Sequence, residues 1–132
     1  MKVITLIEPW GTLIKNGYKS IETRSWKTNY RGELYIHTSL SKLPKEAVIN
    51  NELRKLYKID ELQYGYIICK CNLVDCIYMT KDFISYIKDN NYQEFICGDY
   101  KEGRYAWILK DIQVLEKPIK IKGHLGIWNY FL

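Results

Sequence analysis

The sequence has little of what builds a metal centre, a disulfide framework or a membrane span. It carries two histidines and four cysteines in 132 residues. Cys69, Cys71 and Cys76 fall in one strand-like stretch, and Cys97 stands apart. A structural zinc site needs four ligands, usually as close Cys or His pairs. His37 and His124 are isolated, so no metal is expected. Cys69 and Cys71 read instead as small buried hydrophobes in a reducing compartment. No apolar run approaches the roughly 20 residues that cross a bilayer, mean hydropathy is −0.30, and no membrane partner is expected. Met1 to Trp10 lacks the apolar core and small-residue cleavage site of a signal peptide; it reads as the first strand of a cytoplasmic protein. There is no Gly-rich phosphate loop, which argues against nucleoside triphosphate hydrolysis, and no cofactor is expected. Repeats, low-complexity segments and Pro/Gly/Ser linkers are also missing, so residues 1–132 read as one domain.

What is present is a globular composition with a basic tilt. Hydrophobic residues make up 47%, too many for a disordered chain. Lys and Arg number 20 against 15 Asp and Glu, a formal net charge of +5 that favours anionic partners. The excess is dispersed rather than gathered in a tail, so any basic patch must be assembled by folding. Twelve tyrosines and four tryptophans are available. Most belong to core and sheet, but exposed aromatics beside Lys and Arg suit stacking on single-stranded nucleic acid.

Val3 to Ile7 reads as a strand. Pro9 opens a short helix through Leu13 and Ile14, which Gly17 closes. Ser20–Arg24 and Leu34–Ser39 alternate as strands. Pro44 opens a helix through about Tyr57. Tyr66 to about Tyr78 is a long strand whose alternation changes phase at Val74, the mark of a β-bulge. Thr80 caps a helix carrying Phe83, Ile84 and Ile87. Tyr105 to Leu115 is a second long strand, ended by Lys117–Pro118. Gly123 to Trp128 reads as a turn region. The expectation is an α+β fold: a five- or six-stranded curved β-barrel, mostly antiparallel, with about three flanking helices.

The chemistry is concentrated in Gly17-Tyr18-Lys19-Ser20-Ile21-Glu22-Thr23-Arg24. Lys19 sits where helix gives way to strand. Glu22 and Arg24 are two apart and share a strand face with Ser20, while Thr23 faces the other way. Arg24 can grip a phosphate or base edge in fork geometry, and Lys19 can act as a point charge. Glu22 can accept from a nucleobase amino group or orient either cation. A solvated, salt-bridged strand face is the commoner meaning of such spacing.

The pattern G-x-K-x-x-E-x-R, matched by Gly17, Lys19, Glu22 and Arg24, resembles the signature of ASCH domains. The flanks resemble the family too: Pro9-Trp10 before Leu13-Ile14, then Tyr30-Arg31-Gly32 through Ile36-His37, Gly65-Tyr66-Ile67-Ile68, Tyr105-Ala106-Trp107 and Pro118 to Trp128. The resemblance implies a PUA-like barrel with a cleft beside the first helix, lined by the signature residues, and RNA binding as the general role. Some members have been assigned ribonuclease activity, some small ones remove an acyl group from a modified cytidine, and the eukaryotic namesake is a coactivator module. The deacylating members carry a threonine nucleophile where this chain has Glu22, so that catalytic set does not transfer.

The residues expected at an RNA or ligand site are therefore Trp10, Lys19, Glu22, Arg24, Trp26 and His37. Trp10 and Trp26 would stack bases, and His37 would donate to a substrate or act as a base. Lys19 and Glu22 would be the catalytic pair if the domain is an enzyme. Three functions stay open. The leading one is a module binding RNA, single-stranded nucleic acid or a modified nucleoside. The second is a hydrolase of ribonuclease or amidohydrolase type. The third is a protein-interaction adaptor of coactivator type, using the segment between Pro44 and Leu62.

Overall fold

A computed structural model describes residues 1–131. Its frame is one six-stranded sheet in the order β2-β5-β4-β3-β1-β6. The strands are β1 (Lys2–Leu6), β2 (Ile21–Arg24), β3 (Gly32–Thr38), β4 (Tyr66–Tyr78), β5 (Tyr105–Lys120) and β6 (Ile127–Asn129). Among the described residues only β1 and β3 pair in parallel; every other pairing is antiparallel. The sheet curls into a half-barrel with β2 and β6 as its free edges.

The curl comes from irregular pairing of the two long strands. β4 and β5 shift register between Ile67 and Cys69, between Lys70 and Asn72, and between Leu73 and Asp75. Each extra residue bends the strand and sharpens its twist. The last shift is the phase change expected at Val74. β5 runs on past Lys117–Pro118, where the sequence suggested an end. Cys69 pairs with Val114 and Ile67 with Ile119, so Pro118 lies in an unpaired bulge where its missing N–H breaks no ladder. The expected turn at Gly123 to Trp128 also holds β6, whose Trp128 pairs with Val3.

The helices are α1 (Trp10–Lys15), α2 (Lys45–Ile49), α3 (Asn51–Arg54), α4 (Lys81–Asn90) and α5 (Tyr92–Ile96), with a 3-10 turn at Ile59–Glu61. The single helix expected from Pro44 to Tyr57 is two. Asn50 adopts extended dihedrals between them, and its side-chain oxygen caps α3 by accepting from the Glu52 and Leu53 N–H groups. This is the competition with helix that short polar side chains offer. Thr80 caps α4 as its position suggested, accepting from Phe83 N–H.

The concave face of the sheet buries Ile4, Leu34, Ile36, Cys69, Cys71 and Trp107 in one cluster with Ile14 of α1. Burial holds both thiols at a pKa of about 12, far from reactive thiolate. No helix among the described residues is long and apolar enough to cross a membrane.

Candidate ligand-binding cleft

The local sequence positions the site through the end of α1. Gly17 has φ +85°, which a glycine adopts without strain. Its N–H bonds to Ile14 O, and Tyr18 N–H bonds to Leu13 O. These two bonds are the Schellman termination, which reverses the chain. The reversal turns Lys19 inward, where it is 1% exposed.

Lys19 Nζ donates to Ile21 O and Cys97 O, both at 2.7 Å, and lies 3.5 Å from Glu22 Oε1. All three ammonium donors thus face an acceptor. Lys19 is a pinned cation rather than the mobile point charge its sequence position suggested. Glu22, on β2, bridges Lys19 and Arg24. Arg24 Nε lies 2.9 Å from Glu22 Oε2, but out of line for a hydrogen bond, so that contact is ionic. Arg24 also donates to Thr5 O at 3.0 Å. One side chain therefore spans from the β2 edge to β1, where the half-barrel leaves its gap.

Lys19 and Glu22 floor a cleft of about 510 Å³. Trp10 forms one side, its ring 5.9 Å from Lys19 Nζ. Asn50 and Leu53 close the top. The opposite wall is the loop from Cys97 to Arg104, clamped to β2. Asp99 N–H donates to Thr23 Oγ1, and Arg104 donates to Thr23 O and Asp99 O. Gly98 permits this approach, since a Cβ there would come within 2.9 Å of Thr23 Cγ2. Thr23, expected on the far face from Glu22, borders the cleft as well, because β2 is an edge strand. Ser20 turns away from the cleft to Glu94.

Arg24 and Trp26 line a smaller adjoining recess of about 250 Å³, which shares Trp10 and Glu22 with the cleft. Trp26 packs edge-to-face on Trp107 at 4.8 Å and is 37% exposed. Five of the six residues expected at the site are thus brought together. His37 is not. It is buried on β3 beside Thr5, whose carbonyl accepts from Arg24, its Nε2 2.7 Å from Ile121 O and its Nδ1 3.1 Å from Thr5 Oγ1. There it borders a separate cavity with His124.

The charges of the main cleft cancel: Lys19, Lys101 and Arg104 face Glu22, Glu46 and Asp99. All three cations are paired, Lys19 with Glu22, and Lys101 and Arg104 with Asp99. Burial pushes the Cys97 thiol up to about 11, against the pull of Lys19, so it is no nucleophile at neutral pH.

The sequence did not reveal Asn50, Asp99, Arg104 or Glu94. Glu94, on α5, is 3% exposed. It accepts from Ser20 N–H, Ser20 Oγ–H and Ile21 N–H, fixing the entry to β2 from 73 residues away. No local pattern announces such a contact.

Comparison with known proteins bears on the family and the fold. The ASCH domain family model matches residues 4–119. This chain belongs to the ASCH domain family. It is 25% identical over 135 residues to Activating signal cointegrator 1 of Homo sapiens, and equally so to the Mus musculus protein. Each alignment covers 96% of this chain but 22% of the relative, so the chain spans about a fifth of their length. Among solved structures, the ASCH protein of Zymomonas mobilis superposes with TM-score 0.57 at 16% identity, covering 90% of this chain and 72% of the other. A point mutant of that protein gives 0.56. At that identity the likeness speaks for the fold alone: these ASCH domains share the curled sheet.

Proposed function

We propose that this ASCH domain binds single-stranded RNA by taking a base into the cleft floored by Lys19 and Glu22. The observation that carries the reading is the cleft's chemistry. Its charges cancel, so it favours a neutral, polar, flat group over a bare polyanion. Glu22 has acceptor capacity beyond its two cations, since a carboxylate offers about four lone-pair sites. The Asn50 amide nitrogen makes no hydrogen bond among the described residues, because only its oxygen caps α3. Trp10 supplies an aromatic wall. An acceptor, a donor and a stacking face in about 510 Å³ are what base-edge recognition uses.

A salt-dependent NMR titration with a short mixed-sequence single-stranded RNA tests it. The expected result is shifts at the Trp10 and Trp26 indoles and along Lys19 to Arg24, fading as salt rises. Trp10→Ala should weaken binding by about 1–3 kcal/mol, the usual contribution of a stacked base. No shifts at low salt would overturn the reading.

The hydrolase reading draws on the same Glu22 carboxylate. Turnover of an RNA or acylated nucleoside by the wild type, lost in Glu22→Gln, would support it. The pinning of Lys19 by two carbonyls and Glu22 favours binding over acid–base chemistry.

A further inference from the structure

The cleft leaves the phosphates of a bound strand unaccounted for. Beyond α3 lies a second recess, of about 570 Å³, between the end of α1 and the segment that follows α3. Its cations are Arg54, Lys55 and Lys58, and its one carboxylate is Glu61. Glu61 Oε1 is already engaged, accepting from Asn16 Nδ2 and Lys58 N–H. Among the described residues none of the three cations makes an ion pair, in contrast to every cation lining the cleft. Arg54 is held in place by its guanidinium over the Tyr57 ring, 5.7 Å from the centroid. Its buried Nε has no hydrogen-bond partner, and a buried unpaired donor carries a desolvation penalty that an anion relieves.

The recess and the cleft share no lining residue, but residues next to each other in the chain line the two at two points. Leu53 lines the cleft and Arg54 the recess; Lys19 lines the cleft and Tyr18 the recess. A strand leaving the cleft across α3 would reach these cations. Tyr18, 38% exposed, stands at the crossing.

We infer that the recess formed by Arg54, Lys55 and Lys58 binds backbone phosphates of the nucleic acid whose base occupies the cleft. The inference rests on the RNA-binding reading above. It divides the labour: the neutral cleft reads a base, and the basic recess supplies the electrostatic, sequence-independent part of the affinity.

The test is the salt dependence of affinity for the same short single-stranded RNA, measured by fluorescence anisotropy. The triple variant Arg54→Gln/Lys55→Gln/Lys58→Gln keeps stem length and removes three charges. The slope of log K against log salt should flatten by about 2, at roughly 0.7 per phosphate contact on a single strand. Arg54 is half-buried, so Lys55→Gln/Lys58→Gln, with both positions exposed, serves as the safe variant; its slope should flatten by about 1.4. Lys81→Gln/Lys88→Gln on α4 removes two exposed charges that line neither the recess nor the cleft and should leave the slope near wild type. Unchanged slopes in the recess variants, with indole shifts of the cleft intact, would overturn the recess alone. Equal flattening in the α4 variant would also overturn it, as a general net-charge effect. A wild type that does not bind the RNA would overturn recess and cleft together.

Discussion

One polar network runs through Thr5, whose carbonyl accepts from Arg24 and whose hydroxyl lies beside His37, and its two ends bury titratable side chains in opposite ways. At the cleft end the burial is ionic: Lys19, Glu22 and Arg24 form one chain of charge, and Glu94 anchors the strand that carries it. At the other end it is neutral. Trp128 Nε1–H donates to Thr5 Oγ1, which lies 3.1 Å from His37 Nδ1, and His37 Nε2 faces Ile121 O at 2.7 Å. A carbonyl can only accept, so Nε2 carries the proton and Nδ1 accepts from the Thr5 hydroxyl. Every polar atom of that chain is satisfied with an uncharged imidazole. The difference teaches where function and architecture separate. Charges are assembled where the sheet has an edge and an open cleft, and a closed hydrogen-bond chain sits where β1, β3 and β6 are packed.

The largest effect should come from breaking the ionic end. Lys19→Met keeps the length of the stem but leaves Ile21 O and Cys97 O unpaired and Glu22 buried with one cation fewer. Breaking a buried pair by removing one partner typically costs about 3–5 kcal/mol. Urea unfolding should show a loss of that size, and Lys19→Met/Glu22→Gln should recover part of it. A loss below about 1 kcal/mol would mean that Lys19 is not pinned and that the two ends do not differ as described.

Next in size is Glu94→Ala, which acts on the ionic end from outside the cleft. It orphans three donors at the start of β2. Hydrogen bonds to a charged group contribute about 1.5–3 kcal/mol, so the variant should lose about 2–3 kcal/mol in the same experiment. Amide exchange at Ser20 and Ile21 should quicken more than exchange along β3. Equal quickening in both strands would point to global loosening instead of a local anchor.

How much of this was legible in the sequence follows from the range of the contacts. The long bulged strands, the Thr80 cap and the Gly17 turn are local and leave marks within a few residues. So does the spacing that puts Glu22 beside Arg24. The split between α2 and α3 was missed because apolar periodicity runs through Asn50, whose cap is a side-chain choice that periodicity does not register. Pro118 reads as the end of β5, yet the strand runs to Lys120, because proline breaks a strand only where its N–H would have had a partner. The far wall of the cleft, from Cys97 to Arg104, and the Glu94 anchor come from residues 73 to 81 positions beyond β2. The family resemblance puts His37 at the cleft, but its ring turns to Thr5 Oγ1 and Ile121 O. The register shift between Ile36 and His37 accompanies a ring engaged by Thr5 and Ile121 and lying 5.6 Å from Trp128.

The smallest effect belongs to the neutral end, and it is a matter of pH. Burial lowers the His37 pKa below its ordinary 6.5, and nearby His124 adds to the lowering while the bond to Ile121 opposes it. With the folded pKa depressed, the unfolded chain takes up the proton first as pH falls. Stability from this residue is therefore complete above about 6.5 and declines as pH drops toward the folded value. Protonation would also place a hydrogen on Nδ1, facing the Thr5 hydroxyl that now donates to it. The midpoint of thermal unfolding should fall between pH 7.5 and 5.5 by less than either substitution above lowers it. In His37→Gln, which keeps a donor for Ile121 O but has no group titrating in that range, the midpoint should be lower at pH 7.5 yet change less with pH. The same slope in both proteins would place the acid sensitivity elsewhere, and the contrast between a charged end and a neutral end would lose its neutral half.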